Sequence, residues 1–412
     1  MKRTLFLMLA VLLSTLSASA QLQYEGIDYH PDEGRRTASV VGVYVSSKSI
    51  IIPSVVCGYT VSDIWYDAFR NHSWLTSISL PVSLSWIYEG AFNGCTGLTT
   101  VTFNAEHCGS PSGSSDAWFK DCPLTTLVIG DKVRSIPNFI AYNQAGLKTL
   151  TIGNSVITIG KGAFEGCAGL TTVTFNAEGC GSPSESSDAW FKDCPLTTLV
   201  IGDKVRSIPD FIAYNQTGLK TLSIPNTVIK IGQGAFEGCA GLTSISIPDC
   251  VSDIGVNAFK GCTGLTSISI PYCITEISAN VFEGCTGLTS LTIPKLVTKI
   301  GEGAFKDCTG LTSVTIPNSV TNISGKAFEG CTGLARVFSF NPEPPVIAED
   351  TFSSYDACIF VPKGCVSKYK EAEYWKNFKS IKETYVENID INGDGIIDMG
   401  DVTSLINMIL DQ

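Results

Sequence analysis

Apolar and polar positions alternate in a short pattern that recurs along most of the chain. In the segment LTSLTIP, residues 288–294, the apolar side chains of Leu291 and Ile293 alternate with the polar ones of Ser290 and Thr292. A period of two residues is typical of a strand with one buried face, so the pattern predicts a half-buried strand. The proline that closes the segment lacks an amide donor and is expected to end the pairing.

Two further segments complete each unit of the pattern. The tetrapeptide VTKI, with Val297 and Ile300 as its apolar residues, predicts a second short strand. The following GAFxxC segment, with Ala304, Phe305 and Cys308, predicts a helical turn that closes the unit over its apolar interior. Each unit therefore predicts one coil of chain with its apolar side chains inside.

The unit repeats with a nearly constant length. The leucine before the strand recurs at positions 75, 98, 124, 147, 170, 196, 219, 242, 265, 288, 311 and 334, with a spacing of 23 residues and two exceptions of 26. This length and composition are those of a leucine-rich repeat. Because each coil covers the apolar edge of its neighbour, we predict a β-rich repeat solenoid of about 12 coils of 23–26 residues.

A larger duplication lies inside the array. Residues 92–163 match residues 164–235 at 61 of 72 positions. Both spacings of 26 arise from the same inserted loop, NAEHCGSPSGSSDAWF in the first copy and NAEGCGSPSESSDAWF in the second. The two loops are expected to project from the same face, three coils apart.

The predicted domain organisation follows from where the repeat begins and ends. Residues 1–20 have a basic start, an apolar run and the small-residue exit ASA, which predicts a secretory signal peptide cut before Gln21. Residues 21–49 are predicted to form an N-terminal cap, residues 50–340 the solenoid and residues 341–385 a C-terminal cap. Residues 386–412 form a separate tail. In the C-terminal cap, Tyr369, Trp375 and Phe378 are expected to form the core.

The motif AFxGCxGLTSIxIP resembles the bacterial surface leucine-rich repeat family called BspA-like, and the resemblance covers residues 50–382. It implies a secreted or cell-surface protein that adheres to matrix proteins or to other cells. It brings no catalytic residues, because the family has none to carry over.

Charge and length exclude two classes of partner. The net charge is −11, and loss of Lys2 and Arg3 with the signal leaves 39 acidic and 26 basic residues, a net charge of −13. Nucleic acid is not expected as a partner, because phosphate backbones need clustered basic residues. No stretch after the signal is long and apolar enough to suggest a membrane span. Secretion, or display on the cell surface, is the expected localisation.

The sixteen cysteines fall into columns when the repeats are aligned. One column consists of Cys95, Cys122, Cys167, Cys194, Cys239, Cys262, Cys285, Cys308 and Cys331. These are expected to be buried free thiols, since an unpaired cysteine packs as a small apolar side chain. Cys250 with Cys273, one coil apart, and Cys358 with Cys365, around an expected hairpin, are candidate disulfides.

The outer side of the predicted sheet carries hydroxyl groups, at Thr172, Thr174, Ser244, Ser246, Ser267, Ser269, Ser290, Thr292, Ser313 and Thr315. Two interpretations stay open. The face is either a solvated sheet in which threonine satisfies strand propensity, or a ligand-binding surface of the kind that extended solenoids use.

The tail contains DINGDGIIDMGD, whose oxygen ligands have the spacing of a calcium loop. The predicted metal ligands for Ca2+ are Asp390, Asn392, Asp394, the backbone carbonyl of Ile396, Asp398 and Asp401. Because the loop ends in aspartate and no clear helix precedes it, the tail resembles a single dockerin repeat more than a complete EF-hand. Dockerins usually carry two such repeats, so the apolar face of the following short helix needs a cover. That cover could be this protein's own cap, a second chain or a cohesin-like partner module.

Three functional hypotheses compete. The first is a non-catalytic adhesion protein that binds extracellular proteins or glycans. The second is a recognition or structural subunit of a polysaccharide-degrading complex, assembled through the dockerin-like tail. The third is an enzyme, which is disfavoured because His30, His72 and His107 are scattered and no isolated pair of carboxylates is evident for glycoside hydrolysis.

Overall fold

A computed structural model describes residues 21–384 of the chain. They divide into two compact units, residues 21–181 with 190–195, and residues 182–189 with 196–384. The predicted signal peptide and the tail with the predicted calcium loop lie outside the described residues. Both units are built from coils of chain that stack parallel strands, so the predicted solenoid fold is confirmed.

The first unit begins with a small, mostly antiparallel sheet. Its six strands are β1 (Leu22–Tyr24), β2 (Ile27–Asp32), β3 (Thr37–Val43), β5 (Val55–Val56), β6 (Tyr59–Ile64) and the short β8 (Trp86–Ile87), which pairs with β6 in parallel. Strand β2 pairs antiparallel with both β1 and β3, whereas β3 pairs with β6 in parallel. The apolar run ASVVGV thus becomes the strand at which antiparallel pairing changes to the parallel pairing of the solenoid.

Each coil contributes one strand to a first parallel sheet. In the first unit these strands are β4 (Ser49–Ile51), β7 (Ser77–Leu80), β9 (Thr100–Phe103), β10 (Thr126–Ile129), β12 (Thr149–Ile152) and β14 (Thr172–Phe175). The register aligns identical repeat positions, so Val101, Leu127, Leu150 and Val173 form one buried row. Alternate positions face outward, as the two-residue period predicts.

In the second unit the corresponding strands continue to the end of the described chain. They are β15 (Thr198–Ile201), β17 (Thr221–Ser223), β19 (Ser244–Ile245), β21 (Ser267–Ile268), β23 (Ser290–Thr292), β25 (Ser313–Ile316), β27 (Arg336–Ser339), β29 (Cys358–Val361) and β30 (Ser380–Glu383). The described residues therefore contain fifteen such strands, six in the first unit and nine in the second, and not the twelve predicted. The additional ones, β4, β29 and β30, lack the leucine motif but still pair in parallel with their neighbours.

A second set of strands, each two residues long, lies at the VTKI position. In the first unit they are β8 (Trp86–Ile87), β11 (Ser135–Ile136) and β13 (Thr158–Ile159). In the second unit they are β16 (Ser207–Ile208), β18 (Lys230–Ile231), β20 (Asp253–Ile254), β22 (Glu276–Ile277), β24 (Lys299–Ile300), β26 (Asn322–Ile323) and β28 (Val346–Ile347). The predicted second strand is confirmed, with its isoleucine inward and its polar residue outward in most coils.

The third side of each coil consists of tight turns and not of the predicted helical turn. Gly303 and Asp307 have φ angles of +59° and +56°, which interrupt a helical path every four residues. The backbone instead hydrogen-bonds to the next coil, as from Phe305 N–H to the Ala327 carbonyl at 2.9 Å. The phenylalanines of this side stack between coils, with the Phe282 and Phe305 ring centroids 5.5 Å apart.

The C-terminal cap contains the one α-helix among the described residues, α1 (Val366–Glu371), followed by a 3-10 turn at Trp375–Asn377. Tyr369, Trp375 and Phe378 are buried together, which confirms their predicted role as cap core. The hairpin expected around Cys358 and Cys365 is wrong, because β29 pairs in parallel with β27 and β30. The chain closes a further coil here and does not fold back on itself.

Candidate ligand-binding groove at the first insertion loop

The six predicted calcium ligands all follow residue 384 and lie outside the described residues. Within residues 21–384, no group of three or more His, Cys, Asp or Glu side chains is arranged to hold a metal ion. The calcium loop therefore stays a prediction from the sequence.

The first insertion loop, residues 104–119, leaves the end of β9 and lies along the preceding coil. The side-chain amide of Asn104 donates to the backbone carbonyl of Leu80 at 2.9 Å and to Ser79 Oγ at 3.2 Å. Further along, the N–H groups of Glu106 and Gly109 donate to the carbonyls of Val82 and Ser85 at 3.1 and 2.9 Å. These bonds fix the loop beside the short strand β8.

The loop ends in a 3-10 turn, Ser114–Asp116, and returns to the core through two aromatic residues. Trp118 is 4% exposed and its ring lies 6.3 Å from that of Phe103. Phe119 is fully buried and continues the phenylalanine stack, with its ring centroid 5.0 Å from that of Phe92. The insertion is thus an ordered extension of the coil, anchored at both ends.

The second insertion loop, residues 176–191, begins in the same way. The N–H groups of Glu178 and Gly181 donate to the carbonyls of Asn154 and Ile157 at 3.0 and 2.9 Å, at positions equivalent to those of the first loop. Both loops therefore start along the same path relative to their own coils.

Beside the first loop, three large aromatic residues lie on the outer side of neighbouring coils. Tyr66 is 62% exposed and Trp86 is 38% exposed, while Tyr88 lies between them. The ring centroids of Tyr66 and Tyr88 are 4.7 Å apart, and those of Trp86 and Tyr88 are 6.5 Å apart in an edge-on arrangement. We name Tyr66, Trp86 and Tyr88 the aromatic platform.

One glycine allows the loop to approach the platform. A Cβ atom built on Gly109 would lie 1.8 Å from Cζ3 of Trp86, so the indole ring occupies the space that any side chain at this position would need. Glycine is the residue that permits such close approach of backbone to a ring. The loop and the platform therefore pack directly on each other.

A groove of about 320 Å³ lies between the platform and the loop. Its lining consists of Tyr66, Trp86, Ile87, Tyr88, Glu89, Pro111, Ser112, Asp116 and Trp118. A second cavity of about 150 Å³ shares Glu89, Asp116 and Trp118 with it and adds Lys120 and Asp121. Ligand pockets in proteins measure about 300–1,000 Å³ and combine aromatic walls with a few polar groups, which the groove does.

The sequence interpretation missed the aromatic platform, although the repeat alignment contains the signal. At the outward position of the VTKI segment most other coils have small, polar or charged residues, such as Thr158 or Lys230, and none has an aromatic residue, whereas this coil has Trp86. Large exposed aromatic residues at outward repeat positions do not contribute to the interior. Their departure from the repeat could have marked the groove.

The nine cysteines of the main column are buried and unpaired, which confirms the predicted free thiols. Each thiol lies against a backbone carbonyl of the preceding coil, as Cys285 Sγ does 3.2 Å from the Phe259 carbonyl. Burial raises the pKa of Cys95 to about 11 and that of Cys239 to about 12, so these two thiols are neutral at physiological pH. Neutral buried thiols are poor nucleophiles.

Neither candidate disulfide is formed in the structure. Cys250 Sγ instead donates to the carbonyls of Asn226 and Val228, at 2.8 and 3.1 Å. Cys273 is also a free thiol. Cys358 Sγ lies 3.3 Å from Ser380 Oγ in the neighbouring strand, and Cys365 points to its own turn. Parallel pairing of β29 with β30 gives Cys358 a neighbour other than Cys365.

The hydroxyl-bearing face forms as predicted, with hydroxyl groups of adjacent coils in register. Thr126 and Thr149 are directly opposite in register, with their hydroxyl oxygens 3.3 Å apart. In the second unit, Ser244, Ser267 and Ser290 are exposed. The row changes near its end, where Thr315 is only 6% exposed and pairs in register with Phe338.

The three histidines do not converge. His72 bonds through its ring nitrogens to the carbonyls of Arg70 and Val43, each at 3.0 Å. His30 packs against the Trp65 ring at 5.3 Å, and His107 lies 3.7 Å from the Glu106 carboxylate. Each has a structural neighbour and none faces a second candidate catalytic group.

Coils of about 23 residues, twelve of them with a leucine before a parallel strand, define a leucine-rich repeat solenoid. The chain belongs to the BspA-type leucine-rich repeat family: a family model described as a BspA type leucine rich repeat region of six copies matches residues 39–139, 112–187, 184–312 and 275–392. The matching model describes a repeat region. No match was found among curated proteins.

Several solved structures are similar to this chain. A leucine-rich repeat protein from Bacteroides ovatus is 22% identical, with a TM-score of 0.46 over 88% of this chain and 99% of that one. A leucine rich cell surface protein from Faecalibacterium prausnitzii is 26% identical, with a TM-score of 0.36 over 78% of this chain and 95% of that one. The pneumococcal vaccine antigen PcpA is 18% identical, with a TM-score of 0.45 over 90% of this chain and 100% of that one. Among the described helices of the chain, none has the length and apolar character to cross a membrane.

Proposed function

We propose that this protein is an exported, non-catalytic recognition protein that adheres to extracellular proteins or glycans. The observation that carries the proposal is the groove at the first insertion loop. There, Tyr66 and Trp86 are exposed at positions where the repeat needs no large apolar side chain. Exposed aromatic clusters rimmed by polar groups are typical of interaction sites on soluble proteins. The signal-like residues 1–20 support export, to the medium or to the cell surface.

An array experiment tests this proposal. Purified residues 21–412 are applied to immobilised extracellular matrix proteins, mucins and glycans, with heat-unfolded protein as the control. Saturable binding of the folded protein to at least one class is the expected result. A flat response across the array contradicts adhesion, and turnover of any polysaccharide contradicts the absence of catalysis.

The tail is proposed to bind calcium through Asp390, Asn392, Asp394, Ile396, Asp398 and Asp401, and to act as a docking element. The support is the loop sequence, in which Gly395 stands at the sharp turn and the acidic residues stand at ligand spacing. Titration calorimetry with calcium is expected to give one binding event that Asp394→Ala removes. Glu387→Ala, an acidic residue outside the loop, is the matched control and leaves binding unchanged. Equal binding by both variants contradicts the assignment.

A second candidate function rests on the same loop. If the dockerin-like tail inserts into a cohesin-like module, the protein is a recognition or structural subunit of a polysaccharide-degrading complex. Residues 386–412 fused to a carrier are expected to retain a partner in calcium and release it in chelator. A tail that captures the same proteins in both buffers removes this candidate, and binding of a second copy of the chain would instead make the tail a dimerisation element.

A further inference from the structure

We propose that the groove at the first insertion loop binds a positively charged side chain of a partner protein, with arginine preferred to lysine. The inference rests on the proposed recognition function and specifies its ligand.

The walls of the groove present aromatic rings to an incoming group. Tyr66 and Trp86 are partly exposed, and their rings flank that of Tyr88 at centroid distances of 4.7 and 6.5 Å. The face of an aromatic ring carries partial negative charge and attracts cations within about 6 Å of its centroid. Tryptophan and tyrosine are the rings that do this best.

The charged groups of the groove have one sign. Among its nine lining residues, Glu89 and Asp116 are acidic and none is basic. Neither carboxylate belongs to an ion pair in the part of the chain that the structure describes, although Lys120 lines the adjoining cavity. Asp116 accepts one hydrogen bond, from Ser115 Oγ at 2.8 Å. Two carboxylates without a basic partner beside exposed rings favour a cation over a neutral or anionic ligand.

The shape of the available groups favours arginine. A guanidinium group is planar, so it can stack on a ring while its N–H groups donate to carboxylates in pairs. A lysine ammonium is more strongly hydrated and cannot make the paired contact. The groove volume of about 320 Å³ is at the lower limit for ligand pockets, which fits one side chain and its neighbouring backbone.

The second copy of the loop provides an internal comparison. The four lining residues that the loop itself contributes are the same in both copies. Pro183, Ser184, Asp188 and Trp190 correspond to Pro111, Ser112, Asp116 and Trp118. The positions equivalent to Tyr66, Trp86, Tyr88 and Glu89 are instead Asn138, Thr158, Gly160 and Lys161. The second copy has thus lost the aromatic platform and reversed one charge. We infer that the platform, and not the loop, determines cation binding.

The experiment measures binding of fluorescent octapeptides to residues 21–412 by anisotropy. Three peptides are identical except at two positions that hold arginine, lysine or citrulline, which has the shape of arginine without its charge. The arginine peptide is expected to bind best. Citrulline is expected to weaken binding by about tenfold or more, because it loses both the cation–π contact with the rings and the ion pair with the carboxylates. Binding of the arginine peptide is expected to weaken as salt is added.

Variants then locate the site. Trp86→Thr combined with Glu89→Lys installs the residues of the second copy and is expected to abolish binding of the arginine peptide. The chain already folds with those residues at positions 158 and 161, so the variant is expected to stay folded at the assay temperature, with a lower thermal transition because the packing of Trp86 on the loop is lost. Thr158→Ala combined with Lys161→Ala is the matched control and leaves binding unchanged.

Three outcomes overturn the inference. The arginine and citrulline peptides could bind with equal affinity, or the arginine peptide could still bind after the exchange at positions 86 and 89. The third outcome is that a neutral oligosaccharide binds to the wild type and loses its binding in that exchange. If the array shows binding by the wild type that the same exchange leaves intact, adhesion stands and the cation site is wrong. A flat array contradicts the adhesion proposal itself.

Discussion

The thiol of Cys308 lies 3.1 Å from the backbone carbonyl of Phe282, one coil earlier in the stack. The same carbonyl oxygen also accepts a hydrogen bond from the N–H of Cys285 at 3.1 Å. The thiol of Cys308 therefore donates to the second lone pair of this oxygen. Two coils have glutamine at this column position, and there Gln144 Nε2 donates to the Phe119 carbonyl at 2.6 Å. At the nine cysteines and at Gln144, the column therefore supplies a side-chain donor that links a coil to the one before.

This link predicts a difference between two substitutions at Cys308. Cys308→Ala removes the donor and leaves a small cavity, so it is expected to lower the free energy of unfolding by about 1–3 kcal/mol. Cys308→Ser keeps a donor near the Phe282 carbonyl and is expected to lose less. Urea unfolding followed by circular dichroism gives both values. An alanine variant as stable as the wild type, or more stable than the serine variant, contradicts the role of the donor.

The raised thiol pKa values predict a loss of stability in alkali. Burial raises the pKa of Cys122 and Cys331 to about 12 from an ordinary value of 9.0. Above pH 9 the unfolded chain releases these protons while the folded chain keeps them, so stability falls as pH rises toward the folded pKa. Each such thiol contributes at most about 1.4 kcal/mol per pH unit.

Urea midpoints measured from pH 7 to 10.5 check this expectation. We expect a plateau to about pH 8.5 and a steep fall above it, since several thiols titrate together on unfolding. Ultraviolet absorbance of thiolate, recorded in parallel, should rise with unfolding and not before it. A midpoint that stays constant to pH 10.5 would contradict burial of the column.

Thiol labelling distinguishes the cysteine classes in the native protein. Cys57 is exposed, whereas Cys239, Cys262 and Cys285 are fully buried. A maleimide reagent is expected to modify Cys57 within minutes and the column only after unfolding in urea, because only an accessible thiolate reacts. Peptide mass spectrometry assigns each site. Fast native labelling at Cys285 would be inconsistent with the structure.

The contact between Gly109 and Trp86 predicts an asymmetry between the two loops. Gly109→Ala would place its Cβ inside the indole ring and is expected to cost about 1–3 kcal/mol. At the equivalent Gly181, the nearest atom to such a Cβ is the Ile157 carbonyl oxygen at 3.7 Å, so Gly181→Ala is expected to be neutral within about 1 kcal/mol. Thermal unfolding compares the two variants. Equal effects would mean that Trp86 does not pack on the first loop.

The phenylalanine stack predicts a local pattern of destabilisation. Phe305 is fully buried between Phe282 and Phe328, at ring distances of 5.5 and 5.4 Å. Phe305→Ala is expected to lower stability by about 3–5 kcal/mol. Because repeat proteins are stabilised by nearest-neighbour contacts, hydrogen exchange should accelerate in this coil and its two neighbours first. Uniform acceleration across the second unit would instead indicate one cooperative core.

The fold was predictable from the sequence because local pattern and tertiary contact coincide in a repeat. The two-residue alternation around Leu291 and Ile293 specified the strand, and the period of 23 residues placed every copy against its neighbour. The prediction failed for features that the repeat pattern does not contain. The strands β29 and β30 lack the leucine motif, and the tight turns at Gly303 and Asp307 depend on left-handed backbone angles that the apolar pattern does not encode.

The candidate site was less accessible to sequence reasoning. The repeat alignment contained Trp86 and Glu89 but gave no reason to connect them with Tyr66 one coil earlier or with Asp116 in the inserted loop. These residues meet because parallel stacking aligns equivalent positions of adjacent coils and lays the loop beside them. The predicted calcium loop is the reverse case, since all of its candidate ligands lie within one segment of the sequence.

By itself, the sequence determined the solenoid, the buried thiol column, the aromatic core of the cap and the outward row of hydroxyl groups, because each follows from a periodicity that a single coil already contains. Only the tertiary structure decided that the candidate disulfides remain thiols, that the stack continues past its leucine motif and that an acidic aromatic groove forms at the first insertion loop. The physical reason is that these features depend on distances between side chains of different coils, which the order of residues along one coil does not specify.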